Sequence, residues 1–279
     1  MMKKLIDRRK FTIRYWVSRF ILIFLALVGI IPFILTVYLS LRNNVEIATE
    51  FWSLPRTLHW ENYKAAFEGI SMPIIRSLLL CFITIFLMLI MSSYMSYVFA
   101  RMKFAGKEII FSMYIIVMMV PSVLTMAPLF MIVNKLHLLN SWWAIIIPYV
   151  GFWQVFGIII SVNNYKSIPE ALFEAAKVEG AGDFYCFTKI GLPLTIPVMI
   201  TLAITALLAF YNDYLWPVLV LGGDKKLFSM FIVELGSGNS SDMGITSAAY
   251  VIGSIPLILI TSAGLKYYLQ GALTGAVKE

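Results

Sequence analysis

The residues most open to a chemical reading lie in the stretch 163–193, which separates two long apolar runs and, at about 30 residues, exceeds a plain connector. Ser167-Ile168-Pro169-Glu170 has the form of a capping box, with Ser167 as N-cap, Pro169 pre-setting φ in the first turn and Glu170 three residues after the cap. The pattern predicts a helix through Glu174, Ala175 and Ala176 that stops at Gly180, where left-handed geometry costs a glycine little. Asp183 is then expected to cap a second short helix reaching Ile190, before Gly191-Leu192-Pro193 turns the chain into the next apolar run. Ala171, Ala175 and Ala176 permit close approach of another surface, and Leu172, Phe173 and Val178 offer it apolar area. That chemistry is docking to a protein partner; the plain alternative is an amphipathic helix resting on lipid.

A second group lies within the run 194–221, in Phe210-Tyr211-Asn212-Asp213-Tyr214-Leu215-Trp216-Pro217. Asp213 is the one carboxylate that falls inside an apolar run, where exposure to lipid is costly. It either faces a translocation pathway or caps backbone freed by Pro217 near an interface. Sugars are held by planar polar groups that match vicinal hydroxyls and by aromatic faces that stack on C–H surfaces. Tyr211, Asn212, Trp216, Trp153 and Gln154 have that chemistry, whereas Trp142 and Trp143 read as an interfacial belt. Pro121, Pro128, Pro148 and Pro256 read as kinks stabilised by neighbouring helices, and the methionines 113, 118, 119, 126 and 131 as adaptable packing.

Stepping outward to the elements that must carry these residues, 279 residues that are 60% hydrophobic and 13% charged, with mean hydropathy +0.85, describe a membrane protein. A bilayer core of about 30 Å needs about 20 apolar residues of helix. Six stretches qualify: 20–41, 77–100, 109–133, 142–162, 194–221 and 245–265. The fold class is therefore all-α, a polytopic membrane protein with six spans: a basic leader 1–19, a membrane-embedded body 20–268 that includes the loop 163–193, and a tail 269–279. With the N-terminus inside, the inner segments carry most of the Lys and Arg, so the positive-inside rule places both termini in the cytoplasm. This topology, not nucleic acid, accounts for the formal charge of +7. Segment 42–76 reads as a partly helical interfacial loop, 134–141 as a short link and 222–244 as a turn-rich connection. Cys81 and Cys186 make no disulfide framework, and no metal set is evident. His59 and His137 fall outside the spans, so intramembrane catalysis lacks its acid–base partners.

Glu174-Ala175-Ala176, three residues, Gly180, nine residues, Ile190, one residue, then Leu192-Pro193 resembles throughout the EAA loop of ABC-importer permeases. Leu54-Pro55 followed by Glu61-Asn62-Tyr63 resembles the first external loop of the sugar-importing subfamily, and Gly271-Ala272-Leu273-Thr274-Gly275 the tail of its maltose-type subunit. Glu179 departs mildly from the aspartate more usual before the glycine. The resemblance implies a permease subunit forming half of a sugar pathway in the bacterial or archaeal inner membrane, with a second permease, an ATPase dimer and an extracytoplasmic solute-binding protein as partners. It implies that the loop docks into the ATPase and that Gly271, Thr274 and Gly275 reach the same partner. The chain has no Gly-x-x-x-x-Gly-Lys-Ser/Thr loop, so it binds no cofactor and is no enzyme itself; ATP-Mg belongs to the partner. The rival class, an ion-coupled secondary transporter using Asp213, would need further intramembrane charges that the runs do not supply.

Overall fold

Long apolar runs in a medium without water must satisfy every backbone group internally, and the chain does so with helices. A computed structural model describes residues 2–237 and 242–276, with side-chain surroundings over 15–237 and 242–267. In order come α1 (Met2–Ser40), α2 (Asn44–Thr49), α3 (Glu61–Arg101), α4 (Lys107–Met118), α5 (Ser122–Lys135), α6 (Trp143–Ser167) and α7 (Glu170–Val178). There follow α8 (Asp183–Tyr185), a π-helical turn Cys186–Gly191, α9 (Leu192–Asn212), α10 (Leu215–Val220), α11 (Phe228–Ser237) and α12 (Met243–Ala276). Among the described residues no strand occurs, in keeping with the all-α, multi-pass reading.

Five helices are long and apolar enough to cross a membrane, and a sixth span exists only if α4 and α5, bent by 100° to each other, count as one. The expected continuous run 109–133 is thus broken at Met119–Pro121, because Pro121 cannot donate to the ladder and disfavours helical geometry in the residue before it. The run 194–221 is likewise interrupted after Asn212, where Asp213 takes extended geometry. In the expected turn-rich connection 222–244, α11 forms instead, since Phe228 buries and stacks on Tyr211 at 4.7 Å. The helix α3 begins at Glu61, well before the expected 77.

The chain divides into two compact units, 1–68 with 235–252, and 69–234 with 253–279. In the first, α1 presents exposed apolar side chains around its circumference over residues 15–34, as a helix bathed in lipid would. Arg42, just beyond α1, is fully buried. Its guanidinium donates to the carbonyls of Phe51 (2.7 Å), Glu50 (2.8 Å) and Glu46 (3.1 Å) and to the Tyr38 hydroxyl (2.7 Å), binding the end of α2 to the turn after α1.

In the second unit, a proline and a helix break expose carbonyls and side chains recover them. Pro148 has no N–H for the carbonyl of Ala144, and Trp216 Nε1 donates to that oxygen at 2.9 Å. The carbonyl of Asp213, in the extended break between α9 and α10, has no helical donor and accepts from Ser229 Oγ at 2.6 Å. These bonds fix α10 and α11 against α6 and the end of α9.

Trp216→Phe, which keeps the ring and removes the donor, is expected to cost about 1–3 kcal/mol, the penalty for an unpaired buried carbonyl. The exposed Trp143→Phe serves as the near-neutral control in thermal unfolding of the detergent-solubilised chain. Arg42→Gln removes the charge-assisted bonds that gather these carbonyls, and is expected to lose about 2 kcal/mol and to open residues 44–53 to hydrogen exchange.

Candidate functional site

The segment 163–193 is built differently from its expected outline. Ser167 ends α6 and donates to the carbonyl of Asn164, so the capping box does not form; α7 starts after Pro169 without a side-chain cap. The helix ends as its sequence requires. Gly180 sits at φ +87°, with Ala181 N–H bonding to the carbonyl of Ala176 (2.9 Å) and Gly180 N–H to that of Lys177 (3.0 Å). This is a Schellman closure, and the left-handed position favours glycine. Asp183 does not cap α8, whose N-cap is Gly182; its carboxylate pairs with Lys177 at 3.0 Å, on the exposed side.

Nor does Gly191-Leu192-Pro193 make a turn. The helix continues through a π-helical register in which Leu192 N–H bonds to Phe187 O, five residues back, and Pro193 lies in the first turn of α9. Pro193 could not supply an α-helical bond to Lys189, and the wider register accommodates it. Gly191 is needed for contact: a Cβ there would lie 2.9 Å from the ring of Tyr165.

Of the residues singled out for docking, Glu174 and Ala175 are exposed, Ala176, Ile190 and Leu192 are half-buried, and Pro193 and Gly180 are exposed. Leu172 and Val178 also stay exposed, but Phe173 turns inward and is buried. It packs in one aromatic cluster with Tyr97 of α3, Tyr165 of α6 and Phe187 of the π-turn, with centroids 5.5–6.1 Å from Tyr97. Tyr165 is further held by Ser93 (2.9 Å) and Thr195 (3.2 Å). Arg101, in the last turn of α3, donates to the carbonyls of Tyr165 and Ile168. Tyr97 and Arg101 carry no motif, and only their spacing of four, on one helix face, could have drawn attention to them.

The second group partly converges. A cavity of about 420 Å³ is lined by Tyr149, Phe152 and Trp153 of α6, Phe210 and Asn212 of α9, Asp213, Trp216 of α10, and Ser122 and Thr125 of α5. Asp213 both lines it and organises it: Oδ1 accepts Leu215 N–H at 3.0 Å at the start of α10, and Oδ2 accepts the Tyr149 hydroxyl at 2.5 Å. Tyr149 stacks on Phe210 at 4.6 Å. Tyr211 points elsewhere, buried, donating to Gly253 O at 2.9 Å. Gln154 does not line the cavity. The side chains of Gly271, Thr274 and Gly275 lie outside the described residues, although the backbone there continues α12.

Residues 89–272 match the family model of the binding-protein-dependent transport system inner membrane component. A polygalacturonan/rhamnogalacturonan transport system permease protein of Bacillus subtilis, YtcP, is 31% identical over 93% of this chain and 96% of its own. A probable starch degradation products transport system permease protein of Thermoanaerobacterium thermosulfurigenes, AmyC, is 28% identical over 97% of this chain and 100% of its own. Among solved structures, a bacterial ABC transporter for import of the acidic polysaccharide alginate superposes with a TM-score of 0.79 at 21% identity, covering 90% of this chain and 95% of that one, which speaks for the fold. The family match spans both the α7 segment and the cavity, and covers well over half of the sequence: this chain belongs to the binding-protein-dependent transport system inner membrane components.

Proposed function

We propose that the chain is one permease subunit of an ATP-driven importer for a sugar or sugar derivative in a bacterial or archaeal inner membrane. The observation that carries the reading is the family match over 89–272, and the sugar names of full-length relatives support the substrate class. Both termini lie in the cytoplasm, as the Lys and Arg distribution favours. The α7 segment faces that side and offers Glu174, Ala175 and Ala176 to a separate ATPase, which alone binds ATP-Mg. A second permease completes the pathway and a solute-binding protein delivers the solute from outside. The exposed small-residue face of α7 and its closed C-terminal turn support the docking role.

Asn212, Asp213 and Trp216, with Tyr149, form this chain's contribution to the pathway. A half-exposed carboxylate among aromatic faces suits hydroxyl-rich solutes. No observation favours ion coupling: both Asp213 oxygens already accept hydrogen bonds from the chain's own groups.

The reading is tested by affinity purification of the chain from its native membrane in mild detergent. An ATPase with a Walker A loop and a second permease should co-purify; recovery of the chain alone, with solute uptake intact, overturns the proposal. Gly180→Pro, which cannot reach φ +87° and removes a bonded N–H, should leave the chain inserted but abolish uptake, whereas Gly180→Ala should cost only about 1 kcal/mol because open space surrounds its Cβ. Asp213→Asn keeps the cap through its one amide oxygen, turns the contact with Tyr149 into a bond donated by Nδ2 to the hydroxyl, and removes the charge. Uptake of labelled oligosaccharides should fall about tenfold with the assembly intact, the scale of one weakened charge-assisted hydrogen bond; unchanged uptake would remove Asp213 from the pathway.

A further inference from the structure

Helix α7 meets the rest of its unit at few points. Phe173 is its one buried residue, Ile168 and Pro169 join it to α6, and the Gly180 turn with the Lys177–Asp183 pair joins it to α8. Force reaching α7 from a docked partner passes to α3 and α6 through that side chain and the first of these joints. Arg101 serves both. It stands in the last turn of α3, and its Nη2 donates to the carbonyl of Tyr165 at 2.6 Å, which also accepts the N–H of the C-cap Ile168 at 3.3 Å, and to the carbonyl of Ile168 itself, so it closes the C-terminal end of α6. A cation is favoured there by the helix dipole as well. The same guanidinium carbon lies 4.4 Å from the ring centroid of Phe173, within the range of a cation–π contact. Among the described residues no carboxylate pairs with it, so the carbonyls and the ring are its anchorage.

We propose that Arg101 is the positioning residue that makes α7 move as one body with the ends of α3 and α6, so that displacement of the docking helix becomes displacement of the spans. The proposal rests on the docking role given to α7 above. Tyr97, one turn earlier on the same face of α3, supplies the apolar half of the clamp against Phe173 and Tyr165. A lysine could not replace the arginine. Its point charge can meet one carbonyl at a time and lacks the plane that lies against an aromatic ring.

The test uses the full chain in its purified assembly, with spin labels on cysteines introduced at Lys103, just beyond α3, and Glu170, at the start of α7. Both positions are exposed, and the native Cys81 and Cys186 are buried from label. The distance between the labels is recorded with and without ATP-Mg, alongside ATP hydrolysis and thermal unfolding. In the unsubstituted protein the distance should be single and unchanged by ATP-Mg. In Arg101→Gln a detached α7 population should grow about tenfold and respond to ATP-Mg, the factor expected for loss of charge-assisted hydrogen bonds; Arg101→Lys should lie between. Phe173→Leu, which keeps apolar volume but removes the ring, should broaden the distance in the same direction, and gives a second reading if Arg101→Gln fails to insert. An unchanged single distance in Arg101→Lys and Phe173→Leu, with ATP hydrolysis retained, overturns the role of Arg101 while leaving the docking reading intact. Absence of any ATPase in the unsubstituted assembly overturns the docking reading itself, and this proposal with it.

Discussion

Wherever a helix ends or breaks in a medium that cannot hydrogen-bond, its free carbonyls and amides need another donor or acceptor from the protein, and this requirement organises the whole chain. Arg42 gathers the carbonyls around α2, and Arg101 those at the end of α6. Trp216 takes the oxygen that Pro148 leaves, Ser229 the carbonyl left free at the break after α9, and the Asp213 carboxylate the first free amide of α10. Each of these side chains belongs to a different element from the group it satisfies, or to the break beside it. The bonds therefore do more than repair a ladder. They decide which helices lie against which.

The same economy explains why the two candidate regions differ in stiffness. Around the cavity, Tyr149, Phe210, Asp213 and Trp216 are each held by a stack or a hydrogen bond, so the polar edge of Asp213 is presented from a fixed frame. At α7 the outer face is left almost bare, with Val178 88% exposed, while one aromatic side chain anchors the helix inside. A helix that must receive a partner and still transmit its movement needs both an unencumbered face and a strong root. The aromatic cluster of Tyr97, Tyr165, Phe173 and Phe187 provides the root because its rings bury large areas at low rotamer cost.

Proline marks both the breaks and the braces. Pro121 stands at the 100° bend between α4 and α5 and behaves as a true interruption. Pro148 lies inside a continuous α6, and the tryptophan bond to the carbonyl of Ala144 makes it a braced point. Pro193 is absorbed by a change of helical register. One residue type thus has three outcomes, set by what stands opposite the orphaned carbonyl.

By itself the sequence determined the class of fold, the approximate positions of the spans, the helix of the 163–193 segment and its stop at Gly180. These follow from local causes: apolar length against bilayer thickness, and the steric freedom of one glycine in a left-handed turn. The family resemblance was equally local, carried by spacing from Glu174 to Pro193. The departures arose where a competing partner, near or far along the chain, won a side chain. Ser167 gives its hydroxyl back to α6 and not to α7, Asp183 prefers Lys177, and a buried Phe228 draws helix from a segment rich in turn formers. Tyr211 and Asp213, two residues apart, looked like one polar surface, yet the end of α9 sends Tyr211 to Gly253 and Asp213 to the cavity. Only the tertiary structure decided that Arg101, silent in composition and motif, joins three helices, because its partners are backbone oxygens and a ring more than sixty residues away along the chain. Carbonyl acceptors have no signature in sequence, and their availability is set by where helices end in space.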